Sequence, residues 1–70
     1  MSKNVIPRNC KEIIAEVKQD GIHSVAGDVI RLIKDGSDFA GENQRTGSVY
    51  RYFADTIRDG DLFRFIEVIK

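Results

Sequence analysis

Tryptophan is absent from the 70 residues, and cysteine, histidine, methionine and proline occur once each. Each scarcity closes off a class of chemistry. Cys10 is the only cysteine, so no intrachain disulfide can staple the chain as in small secreted domains. A lone thiol suits a reducing compartment, and a cytoplasmic location is expected. One cysteine and one histidine do not make a zinc site, and no cofactor is expected. No apolar run exceeds three residues (Ile13-Ile14-Ala15, Tyr52-Phe53-Ala54), so neither a transmembrane helix nor a signal-peptide core is present. No membrane partner is expected. Neither sign of charge is in excess: eleven Lys and Arg face eleven Asp and Glu, for a formal net charge of zero. That balance excludes a uniformly basic nucleic-acid coater and a polyanionic mimic.

What is present fits one small folded domain over residues 1–70. Hydrophobic residues make up 41% and charged residues 31%, outside the composition of a disordered tail. A chain this short buries only about 60% of its unfolded surface. Self-association is the remaining way to bury more, and a homodimer is expected. The charge is also segregated. Residues 1–11 carry Lys3, Arg8 and Lys11 with no acid, and residues 1–8 read as a basic, partly mobile arm. Residues 44–58 set Arg45, Arg51 and Arg58 against Asp55 alone.

Apolar spacing is read at helical period. Asn9 can cap a helix over 9–19 that places Cys10, Ile13, Ile14 and Val17 on one stripe and stops at Asp20-Gly21. Ser24 can cap a second helix, with Val25, Ala26, Val29, Ile30, Leu32 and Ile33 on one arc and Gly36 as its stop. Val29–Ile33 also reads as a strand, with Lys34-Asp35-Gly36-Ser37 as a hairpin turn, but the helix accounts for more positions. Residues 37–47 read as a loop, or as a short helix from Asp38 to Asn43. A further helix capped by Thr46 or Ser48 runs to Asp59-Gly60. The tail from Asp61 is assigned as helix, with a strand through Phe63, Phe65 and Ile69 as the alternative. The expected fold is therefore an all-α compact bundle of four or five short helices, helix-turn-helix-like. One internal echo stands out. Residues 27–34 (GDVIRLIK) and 60–67 (GDLFRFIE) agree at four of eight positions, which favours one secondary structure for both.

No catalytic constellation appears, and a non-enzymatic protein is expected. His23 and Ser24 are adjacent and cannot face each other as a dyad. Cys10 lies on an apolar stripe. The glycines match neither the dinucleotide nor the P-loop pattern. The Asp35–Asp38 and Asp59–Asp61 clusters lack calcium-loop spacing and suit turns.

One constellation carries a function. Ala40, a turn, a Thr46 or Ser48 cap and the amphipathic run after it have the order of a helix-turn-helix. Gly47-Ser48-Val49-Tyr50-Arg51-Tyr52-Phe53 resembles the recognition helix of TetR-type repressors, over those seven residues. The turn before Gly47 is one residue shorter than in that family, and there is no large ligand-binding domain in the chain. The resemblance implies a dimeric DNA-binding transcription regulator, with Gln44, Arg45, Thr46, Ser48, Arg51 and Tyr52 toward duplex DNA. Lys3 and Arg8 of the arm would grip phosphates. The alternative is a protein-binding inhibitor or adaptor, of the sort that phages and mobile elements encode, which occludes a larger protein. Its interface would be the aromatic C-terminal half, with Leu62, Phe63, Phe65, Ile66 and Ile69 as contacts.

Overall fold

The computed structural model describes residues 3–70; the first two residues of the expected arm lie outside them. Five strands form one sheet: β1 (Glu12–Val17), β2 (Val29–Asp35), β3 (Asp38–Asn43), β4 (Val49–Tyr52) and β5 (Phe63–Ile69). A single short helix, α1 (Ala54–Arg58), sits between β4 and β5. The strand order is β4-β3-β2-β1-β5, and every pairing is antiparallel. This overturns the all-α bundle. It also removes the helix-turn-helix and the TetR-type resemblance, because Gly47–Phe53 is a turn and an edge strand, and α1 has only five residues.

The physical reason is visible in β1. Its burial alternates residue by residue: Ile13, Ala15 and Val17 are inside, and Glu12, Ile14 and Glu16 are less covered. Ile13, Ile14 and Val17 also satisfy helical spacing, so the two periods overlap over so short a run. β-Branched side chains, which fit a pleated surface, then favour the strand. In β2, Ile30 and Leu32 point inward while Arg31 and Ile33 point out. The strand reading of Val29–Ile33 was the right alternative. Gly36 and Ser37 link Asp35 to its partner Asp38. Only Gly36 has a positive φ, 66°, the pattern of a two-residue type II′ hairpin. The 38–43 segment is β3, neither loop nor helix. The helix expected from Thr46 or Ser48 to Asp59 is split at Phe53 into β4 and α1. The tail is β5, against its helical assignment.

The inward faces form one core of Cys10, Ile13, Ala15, Val17, Ile30, Leu32, Phe39, Ile57 and Phe63. Ile57 plugs it from α1, fully buried. The sheet curls until its two borders meet: the ring of Tyr52, ending β4, lies edge-on to Phe63, starting β5, at 5.1 Å and 82°. Gly41 makes this possible. A methyl group there would lie 2.5 Å from the Tyr52 ring and 3.0 Å from Ile30. The N-terminal segment wraps the far border. Asn4 donates through its backbone to Arg58 and through its side chain to the carbonyls of Ile57 and Phe63. Among the described residues no helix is long and apolar enough to cross a membrane.

Candidate protein-interaction surface

The most buried charge is Asp28, whose side chain is almost fully covered. It precedes β2 at the end of the long β1–β2 loop. Its carboxylate accepts from the Val25 backbone (3.1 Å), from Asn43 Nδ2 (2.9 Å) and from both Nε (2.7 Å) and a terminal nitrogen (3.0 Å) of Arg45. Asn43 Oδ1 in turn accepts from the backbone of Arg45 and Thr46. Donation by Arg45, then Asn43, then Val25 holds the Asp28 carboxyl far below the usual carboxylate range. The network locks the β1–β2 loop to the β3–β4 turn. No buried side-chain polar atom among the described residues lacks a partner. This cluster is complete in itself and offers no free group to a substrate.

The residues expected to touch DNA fall into four places. Gln44, Arg45, Thr46 and Ser48 share the β3–β4 turn: Gln44 Nε2 donates to the Glu42 carbonyl, Thr46 Oγ1 accepts from the Ser48 backbone, and the Arg45 guanidinium is held by Asp28. Arg51 sits on β4 between Asp35 (3.0 Å) and Asp38 (3.8 Å). Tyr52 turns its ring to the interior, and burial pushes its hydroxyl pKa up. Lys3 and Arg8 are exposed on the N-terminal segment. The arginines of the sheet are matched to acids throughout. On β1, Glu12 takes Arg31 of β2 in a two-pronged pair, and Glu16 takes Arg64 of β5. Arg58 pairs with Asp55 on α1.

The residues expected at a protein interface divide as well. Phe63 is core, and Leu62 and Phe65 pack partly buried against it. Ile66, at the irregularity where β5 slips register against Ile14 and Ala15, and Ile69 remain exposed.

Two concavities flank α1. Phe53 precedes the helix in extended conformation, and Asp38 Oδ1 accepts from the Ala54 backbone at its start. Asn4 satisfies carbonyls at its end, as unpaired helix C-termini require. Between the arm and α1 lies a cleft of about 440 Å³ lined by Lys3, Val5, Ile6, Asp55, Arg58 and Asp59. On the other side of α1 lies a second of about 360 Å³, lined by Ser37, Asp38, Phe53, Ala54, Asp55 and Arg58. The Asp55–Arg58 pair is the wall they share. Two large apolar side chains stand in the open at their flanks, Val5 at 79% and Phe53 at 65% exposure. Sequence reasoning took Phe53 as the end of the recognition-helix-like segment and gave Val5 no role. Reading Phe53 as the residue between a strand and a one-turn helix would have freed it.

No histidine, cysteine or carboxylate cluster among the described residues could hold a metal. Comparison with family models, with curated proteins and with solved structures gave no match.

Proposed function

We propose that this chain is a small non-catalytic binding module whose partner is a protein, engaged over α1 between Val5 and Phe53. The observation that carries the reading is Phe53. An exposed aromatic ring at the mouth of a cleft is costly to leave in water and is a common kind of interface anchor. The charge pairing supports it. Arg45 and Arg51, two of the residues expected to meet duplex DNA, already face carboxylates and would have to give up those pairs to contact phosphates. An intracellular module with a buried free thiol at Cys10 fits a reducing compartment.

The test is affinity capture from the native host with the wild-type chain and with Phe53→Ser. The substitution touches no core contact, so the fold should survive it. A partner held in stoichiometric amount by the wild type and lost with Phe53→Ser is the expected result. Identical capture by both chains sinks the reading. So does saturable, salt-sensitive binding of duplex DNA by the wild type in an anisotropy titration.

A further inference from the structure

The two borders of the sheet are treated differently. At β5 the side chain of Asn4 occupies the Phe63 carbonyl, and a register slip at Ile66 breaks the line of the strand. These are ordinary ways to keep an edge from pairing. At β4 the described residues show no such cover. The phase of its backbone follows from the ladder. Asn43 donates to Ser48 on one side of β3, and Gln44 donates to Val29 on the other. Antiparallel alternation then turns Tyr50 and Tyr52 toward β3, and directs the N–H and C=O groups of Val49 and Arg51 out into solvent.

We propose that the β4 edge pairs with the β4 edge of a second copy of this chain, antiparallel, about a two-fold axis through Tyr50. The outward-facing residues lie one on each side of Tyr50, so that axis sets Val49 opposite the partner's Arg51 and the reverse. Each of the two pairs exchanges two backbone hydrogen bonds, and the sheet continues from one copy into the other. Charge selects this axis over its neighbour. An axis through Arg51 would set two guanidinium groups face to face, a destabilising juxtaposition. With the axis on Tyr50, each Val49, 59% exposed in the single chain, covers the aliphatic stem of an arginine whose charge is already held by Asp35 and Asp38. On the other face the two Tyr50 rings become neighbours. Each is backed by His23, stacked at 3.9 Å and 16°, and beside it Ile22 is 95% exposed. A small core gains apolar cover from the pairing, and the contact is isologous and closed.

Sedimentation velocity over a wide concentration range is the test. The wild type should pass from monomer to dimer and stop there. Val49→Pro removes an N–H that the β3–β4 ladder does not use, so the single chain should keep its circular dichroism while dimerisation weakens at least tenfold. Val49→Thr, which restores the donor, should dimerise like the wild type. Phe53→Ser should also dimerise, which separates this surface from the one over α1. A mixed sample of isotope-labelled and unlabelled chains should show intermolecular contacts between Val49 methyls and Arg51, whatever the fate of the proline variant. A wild type that stays monomeric, a folded Val49→Pro that dimerises equally, growth beyond the dimer, or absent Val49–Arg51 contacts would overturn the proposal.

Discussion

Gly41 has no room for a side chain. Its Cβ position is filled by the Tyr52 ring, which is itself held against Phe63. Gly41→Ala should therefore cost about 1–3 kcal/mol, the range of an overpacked core, read from urea unfolding. Asp28 makes a second prediction at this scale. Its carboxyl pKa is lower folded than unfolded, so its contribution to stability is complete above the unfolded value of about 4. It is lost as pH falls below that toward the folded value. Thermal unfolding of Asp28→Asn should show a lower melting temperature at neutral pH and a shallower further loss below about pH 4 than the wild type. An unchanged acid limb would mean that the network holds no charge that matters. This residue was not legible beforehand. Spacing alone sets Asp28 on the polar arc of a helix capped by Ser24, and only the meeting of the 20–28 loop with Asn43 and Arg45 makes it a buried anchor.

The elements were misjudged because their apolar residues lie on both faces. Ile14, Ile33 and Ile69 decorate the outside of the sheet while Ile13, Leu32 and Val68 line or border the inside. A strand with apolar residues on both sides loses its period of two and can be fitted by a helical arc. The legible part was the echo between 27–34 and 60–67. Both segments open on a glycine of positive φ, Gly27 at 97° and Gly60 at 82°. They become β2 and β5, the two strands that flank β1, and each presents an arginine to a β1 glutamate. The stop signals were legible as well, but they mark hairpin and loop turns rather than helix ends. Gly36→Ala should destabilise by about 1–2 kcal/mol through its left-handed backbone, measured by the same urea titration. Ile57→Ala, which unplugs α1 from the core, should cost about 2–5 kcal/mol. A loss below about 1 kcal/mol would show that α1 merely rests on the sheet.

For the whole molecule, the net charge of zero is paired at the arginines from Arg31 onward, each of which faces an acid. Arg45 meets Asp28 of the β1–β2 loop, Arg51 meets Asp35 and Asp38, and Arg58 meets Asp55 within α1, so the three arginines of 44–58 each face an acid. Composition alone could not show this, since pairing depends on register. The candidate surface was only half legible for a related reason. The aromatic residues of 49–69 are shared between core and surface by the curl of the sheet: Tyr52 and Phe63 close the interior, and Phe53 is turned out.

The position of β5 also sets the order in which the chain can assemble. β1 to β4 follow one another as neighbours, and the β2–β3 hairpin needs only a two-residue turn. The β1–β5 ladder joins residues roughly fifty positions apart, so its loop-closure entropy is paid late. Substitutions that weaken the β5 seam, such as Phe65→Ala, should then speed unfolding in stopped-flow chevrons and leave the refolding limb nearly unmoved. Those in the β2–β3 hairpin, such as Leu32→Ala, should slow refolding instead.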